Sequence, residues 1–215
     1  MKAKRVCQSQ NLAKYFLRRP VLQHVSFEIF QGQFILLTGD NGSGKTTLLR
    51  IVTTLLAPTQ GQMIHFDGEP GLSLARIRQR IAYLSSHTLL HPDLTLMENL
   101  QLLATLSEQG ASTRDIAQEL DHWNLSHLAH QACRTLSKGE LQKANIVRSL
   151  LHTRELIVWD EPQNGLDAKS QERLHARMLA LKAQGHTLLC TSHFETQLPA
   201  IFDQHWHLKE GRLSL

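Results

Sequence analysis

One loop constrains this chain more than any other part of it. The apolar run FILLT (Phe34 to Thr38) leads into Gly39-Asp40-Asn41-Gly42-Ser43-Gly44-Lys45-Thr46-Thr47, the spacing G-x-x-x-x-G-K-T. Glycine admits positive φ and lets the main chain come close to a ligand. Consecutive backbone N–H groups in such a loop wrap a polyphosphate. If LLRIVTTLL (Leu48 to Leu56) opens a helix, its positive end lies under the phosphates. Lys45 then reaches the terminal phosphates and the Thr46 hydroxyl holds Mg²⁺. A plain Gly-rich turn is the alternative, but a strand pattern before the loop and a helix pattern after it favour nucleotide binding.

A second candidate site is ELIVWDEP, Glu155 to Pro162. Four apolar residues ending in two carboxylates predict a buried strand that delivers Asp160 and Glu161 at its C-terminal end, the edge where α/β sheets bind ligands. One carboxylate holds Mg²⁺ through water and the other polarises an attacking water. An acidic pair at a strand end is often only a solvated loop. Beside a phosphate loop it supplies the metal and base of a phosphoryl-transfer site.

The rest of the chain sets the frame. With 215 residues, 41% of them hydrophobic, it suits a single domain, residues 1–215. Strands are predicted at VSFEI (Val25 to Ile29), QFILLTG (Gln33 to Gly39), MIHFDG (Met63 to Gly68), RIAYLS (Arg80 to Ser85), LIVWD (Leu156 to Asp160) and TLLCTS (Thr187 to Ser192). Helical spacing fills LTLMENLQLLATLSEQ (Leu94 to Gln109), STRDIAQELDHW and ERLHARMLALKAQ. The expectation is an α/β core with a helical subdomain inserted between about Ser86 and His152. No apolar run is long enough to span a bilayer and the start MKAKRVCQSQN lacks a signal-peptide core, so a cytosolic chain is expected. Cys7, Cys133 and Cys190 form no C-x-x-C pair and read as reduced thiols. The formal charge of +4 comes from dispersed Lys and Arg and alone decides nothing about partners; no nucleic-acid partner is expected.

Taken in order, GDNGSGKTT, LSKGELQ (Leu136 to Gln142), LIVWDEP, NGLD (Asn164 to Asp167) and TSH (Thr191 to His193) resemble the nucleotide-binding subunit of ATP-binding cassette transporters. The similarity runs from LAKYFLRRPVLQHVSFEI to HLKEGRLSL, nearly the whole chain. It implies a P-loop NTPase core with an antiparallel β subdomain and an inserted helical subdomain. It also implies ATP and Mg²⁺ as cofactors, and a head-to-tail pair with a second copy or a homologous ATPase subunit. Each ATP would lie between the phosphate loop of one subunit and the signature segment of the other. The partners implied are integral membrane transporter subunits, with this chain peripheral at the cytoplasmic face of the membrane.

Several residue roles follow from the resemblance. Ser137 precedes a helix pattern, so its hydroxyl and the N–H groups of Lys138 and Gly139 make an anion site, expected to stand idle until phosphate arrives. An ordinary helix cap is the other reading. The family's common LSGGQ is here LSKGE, with Lys138 and Glu140; a lysine there also occurs in exporter-like members. His193 matches a histidine that senses the γ-phosphate. Asp167 matches the aspartate linking the two sites across the pair. Phe16, with Tyr15 as neighbour, falls where an aromatic stacks on adenine, unless either is simply core packing. The family's usual glutamine after the strand RIAYL is absent; Ser86 matches by count and would meet the metal by its hydroxyl or a water.

The segments YLSSHTLLHPDLTLMENL and LSKGELQKANIVRSLL most resemble the ATPase of the cytochrome c biogenesis system described as a haem exporter. The short C-terminus after the last strands, HWHLK and RLSL, favours a minimal exporter subunit. The competing expectation is a soluble cassette ATPase in DNA maintenance or cofactor assembly; DNA-repair relatives, however, carry a long coiled coil in the middle of the chain.

Overall fold

The structure is a computed structural model that describes residues 4–106, 111–151, 154–192 and 201–215. Its strands are β1 (Arg5–Phe16), β2 (Arg19–Phe30), β3 (Phe34–Thr38), β4 (Gln60–His65), β5 (Ile81–Leu84), β6 (Leu156–Trp159), β7 (Thr187–Thr191), β8 (Gln204–Lys209) and β9 (Arg212–Ser214). The α-helices are α1 (Lys45–Val52), α2 (Leu74–Gln79), α3 (Leu96–Thr105), α4 (Thr113–His122), α5 (Lys138–Leu150) and α6 (Ala168–Ala183). None of the described helices is long and apolar enough to cross a membrane. The chain groups into two compact units. One comprises Met1–Tyr83, Arg154–Asp160 and Met178–Leu215; the other comprises Leu84–Thr153 and Glu161–Arg177.

In the first unit, β3, β6 and β7 are buried at every position. Such continuous apolar runs belong to parallel strands covered on both faces. β3 pairs in parallel with β7 on one side and β8 on the other, and β6 pairs in parallel with β7. The six-stranded order is β5-β6-β7-β3-β8-β9, closed by the antiparallel β8–β9 hairpin. A separate antiparallel sheet has the order β2-β1-β4. Leu48, Leu49, Ile51 and Val52 of α1 share one apolar cluster with residues of both sheets, including Val25, Phe27, Ile35, Val158 and Trp206.

β1 is the strand that sequence pattern does not show. Its pairing shifts register between Ser9 and Leu12 against β2, and between Gln10 and Ala13 against β4. Asn11 lies within both shifts, at φ 48°. The extra residue breaks the period-2 alternation by which strands are recognised. Buried Ser9 ties this region to β2, donating to the Val25 carbonyl at 3.0 Å and accepting from the Phe27 amide at 3.1 Å. Gly61 in β4 passes so close to this bulge that a Cβ there would lie 2.4 Å from the Asn11 carbonyl oxygen.

Two expected boundaries move. The strand expected over Met63 to Gly68 is β4, which starts at Gln60, ends at His65 and is followed by a 3₁₀ turn at Phe66–Gly68. The helix expected to reach Leu56 stops at Val52. There the Thr53 hydroxyl bonds back to the Leu49 carbonyl at 2.9 Å and Thr54 turns left-handed at φ 60°.

In the second unit, α3, α4 and α5 each open with the same device. Thr95 with Glu98, Ser112 with Asp115, and Ser137 with Glu140 form reciprocal capping boxes. Asn99 is 3% exposed and organises the α3 entry: its side chain donates to the carbonyls of His91, Leu94 and Thr95, and accepts from the His91 amide at 2.6 Å. Cys7, Cys133 and Cys190 are free thiols and buried.

Buried His65 closes the C-terminal end of α1, its Nε2–H donating to the Val52 carbonyl at 2.8 Å. That carbonyl belongs to the last turn and has no partner within the helix. Burial lowers the His65 pKa below its ordinary 6.5, against the opposing pull of the Val52 hydrogen bond. The folded chain therefore holds this imidazole neutral while the unfolded chain protonates it. Stability is retained above pH 6.5 and lost as the pH falls below it. Urea midpoints measured from pH 7.5 to 5 should fall with acidity, and His65→Gln should flatten that fall; an unchanged slope would remove His65 as its source.

Candidate functional site

The segment from Gly39 to Thr47 comprises the loop that joins β3 to α1, Gly39 to Gly44, and the first residues of α1. Gly39 sits at φ 143°, where a Cβ would lie 2.2 Å from the Leu208 carbonyl oxygen of β8. Gly44, left-handed at φ 108°, is the N-cap of α1, and no side chain caps that helix. A Cβ on Gly44 would also meet the Val21 carbonyl oxygen at 2.9 Å. The two positions need glycine for both conformation and space. Asp40, Asn41 and Gly42 are exposed at the tip, and Thr46 and Thr47 are half-buried in the first helical turn.

Lys45 is 6% exposed and curls back under the loop, its Nζ donating to the Gly39 carbonyl at 2.6 Å and the Asp40 carbonyl at 3.1 Å. The ammonium group thus rests inside the ring of backbone. Ser43 Oγ is buried and has no hydrogen-bond partner among the described residues. An orphaned hydroxyl costs about 1–3 kcal/mol, and a phosphate oxygen in the loop would satisfy it. With the uncapped α1 N-terminus, these features fit a polyphosphate.

β6 delivers Asp160, 1% exposed, beside this loop. Its Oδ2 accepts from the Thr46 hydroxyl at 2.8 Å and its Oδ1 accepts from the Thr191 hydroxyl at 2.8 Å. Among the described residues no cluster of three or more His, Cys, Asp or Glu groups is placed to hold a metal. One carboxylate with a neighbouring hydroxyl is instead the hard-oxygen set suited to Mg²⁺, which keeps most of its waters and shares the nucleotide's phosphates. The donors fit that ion.

The second unit carries Glu161, Ser86, Ser137, Lys138, Gly139 and Asp167. Glu161 adopts φ 53°, a left-handed conformation costing on the order of 1–3 kcal/mol in a non-glycine residue. The turn that holds it there is braced from two sides. The Gln142 side chain donates to the Pro162 carbonyl at 2.9 Å, and the Asn164 amide donates to the Glu161 carbonyl at 3.1 Å. The Asn164 side-chain amide also donates to the Glu161 carboxylate.

At the start of α5 the Ser137 hydroxyl forms a capping box: Glu140 Oε2 accepts from both the Ser137 hydroxyl at 2.7 Å and its amide at 2.8 Å, and Ser137 Oγ accepts from the Glu140 amide. The Ser137 hydroxyl, and then its backbone N–H, hold the Glu140 carboxyl below the usual range. The helix-cap reading describes this arrangement. Gly139 lets α5 approach the NGLD loop, since a Cβ would lie 2.8 Å from the Gly165 carbonyl oxygen, and the Lys138 stem covers Gly165. Asp167 accepts from the Ser170 amide at 2.7 Å at the opening of α6.

Phe16 is 47% exposed at the end of β1, which excludes the core-packing alternative, and Lys14 Nζ lies 5.3 Å from its ring centre. Ser86 is exposed just after β5. His193 lies outside the described residues. Thr191, Asn164 and Gln142 received no role from sequence. A polar residue closing the apolar run Leu188 to Cys190 was the available signal for Thr191.

The protein-family profile described as ABC transporter matches residues 22–164. The Nod factor export ATP-binding protein I of Burkholderia orbicola is 32% identical over 207 residues, covering 94% of this chain and 67% of that protein. The zinc import ATP-binding protein ZnuC of Haemophilus ducreyi is 33% identical over 168 residues, covering 78% of this chain and 59% of that one. The chain spans between 58% and 74% of the length of the curated relatives it first matches. Among solved structures, the ATP-binding cassette MJ0796, in a dimeric post-hydrolysis state bound to ADP and Pi, superposes with a TM-score of 0.87 at 25% identity over 97% of both chains. With the phosphate loop and Asp160 arranged as described, the chain belongs to the ABC transporter family and carries its ATP-binding, ATP-hydrolysing cassette.

Proposed function

We propose that this chain powers a membrane exporter as a peripheral subunit on the cytoplasmic face, paired head to tail with a second copy or a homologous ATPase subunit. The observation that carries the reading is the Thr46–Asp160 hydrogen bond, which joins the phosphate loop to the end of β6. Lys45 and the α1 N-terminus bind the phosphates, with Gly39 to Thr47 as their cradle, and Phe16 offers its exposed ring to the base. Thr46 and Asp160 hold Mg²⁺, assisted by Ser86. Bound there, the ion neutralises charge developing on the transferred phosphoryl group.

Glu161 accepts the proton of the attacking water, and His193 orients toward the terminal phosphate. Ser137, Lys138 and Gly139 of one copy serve the nucleotide held by the other, with Asp167 coupling the two sites. For the Ser137 hydroxyl to reach a phosphate, Glu140 must release it. The dimeric state of the solved MJ0796 cassette supports pairing.

Glu161→Gln should retain ATP binding while hydrolysis falls about a hundred- to ten-thousand-fold. With ATP and Mg²⁺ this variant should elute from size-exclusion chromatography as a dimer; an ATP-loaded monomer would contradict the pairing. Lys45→Ala should instead lose about ten- to a hundredfold in ATP affinity, and unchanged affinity would contradict the loop assignment.

The cargo lies with the membrane subunits. The Burkholderia relative is an export protein, and the sequence resemblance to the cytochrome c biogenesis ATPase supports haem export in particular. Thirteen scattered histidines give this chain no haem site of its own to propose. Deleting it should impair holocytochrome c maturation while the purified protein binds ATP and not haem. Normal c-type cytochrome levels in the deletion strain would reject haem and leave general export.

A further inference from the structure

Thr191 is the last residue of β7, the strand lying between β6 and β3. The parallel register pairs Trp159 with Cys190, which brings the next residues, Asp160 and Thr191, level at the strand ends. Both are essentially inaccessible, Asp160 at 1% and Thr191 at 0%. At a buried position in a parallel sheet, valine would fill the same volume without a polar group. The threonine hydroxyl is used: it donates to Asp160 Oδ1 at 2.8 Å, while Thr46 donates to Oδ2, also at 2.8 Å.

We propose that Thr191 is a positioning residue for the metal. The inference rests on the reading of Asp160 and Thr46 as the groups that hold Mg²⁺. A carboxylate has one soft torsion at its end. Anchored at Oδ1 by Thr191, the group cannot rotate without breaking that bond, so Oδ2 stays on Thr46. With its proton directed at Oδ2, the Thr46 hydroxyl keeps its lone pairs for a cation. Thr191 thereby fixes both donors while touching neither metal nor nucleotide.

The test measures metal affinity directly. Mn²⁺, a paramagnetic stand-in for Mg²⁺, is titrated into the full chain with a non-hydrolysable ATP analogue and followed by electron paramagnetic resonance. Nucleotide affinity in EDTA and the melting temperature are recorded for each variant. Removing an outer partner of a metal ligand typically costs about 10- to 100-fold in metal affinity. Thr191→Val should show that loss, Thr191→Ala should show it too, and Thr191→Ser should return to within about threefold of wild type. Metal-free nucleotide affinity should stay constant across the series.

If Thr191→Val and Thr191→Ala bind Mn²⁺ as wild type does, or only melt earlier, the positioning role is overturned. Asp160→Asn separates the two levels. Where it loses Mn²⁺ and Thr191→Val does not, the present inference fails alone; where Asp160→Asn itself binds Mn²⁺ normally, the underlying metal assignment fails.

Discussion

The hydrogen bond from Thr46 to Asp160 is the interaction on which the rest of the arrangement turns. Burying a carboxylate is costly unless donors compensate it. Here two hydroxyls do so, one from the first turn of α1 and one from the end of β7. Parallel strands place all their C-terminal ends on one edge. β3 releases the phosphate loop there, β6 delivers Asp160 and β7 delivers Thr191. The sheet therefore assembles a phosphate cradle and an anionic metal ligand from three distant stretches of chain. Lys45, folded onto its own loop carbonyls, keeps the positive charge inside the cradle.

The second unit relies on a different economy of means. The same three-residue spacing of hydroxyl and carboxylate opens α3, α4 and α5. At α3 and α4 the capping box has a structural task. At α5 it occupies the segment proposed to meet phosphate, so Glu140 acts as an internal anion at a helix end that favours negative charge. Lys138 lies over Gly165, and Gly139 leaves room for the Gly165 carbonyl, which ties the signature segment to the NGLD loop. Glu161, braced in the same unit by Gln142 and Asn164, is held in a backbone conformation that its residue type disfavours.

Much of this was legible in the sequence for physical reasons. FILLT, LIVW and TLLCT read as buried strands because parallel strands are apolar on both faces. The phosphate loop was visible because its glycines answer to conformation and space at fixed positions, Gly39 and Gly44 above all. β1 was hidden because the bulge at Asn11 breaks its alternation. The end of α1 was misplaced because apolar residues continue through Leu56, whereas the stop is made by the Thr53 hydroxyl and the left-handed Thr54. Thr191 and Asn164 were passed over because their importance lies in a partner. Thr191 is thirty-one residues from Asp160 and becomes its neighbour only through strand register. Ser137 admits two readings, an anion site and a helix cap, because spacing alone does not tell whether a cap or a ligand holds the hydroxyl.

The central claim is that the Thr46 hydroxyl joins the phosphate loop to the β6 carboxylate. A double-mutant cycle of Thr46→Val and Asp160→Asn, read by urea unfolding of the ligand-free chain, tests it most directly. The account predicts that the two substitutions are coupled by about 1–3 kcal/mol, the scale of a hydrogen bond to a charged, buried group. Additivity to within about 0.5 kcal/mol would mean that the two groups do not interact in the free chain, and would contradict it.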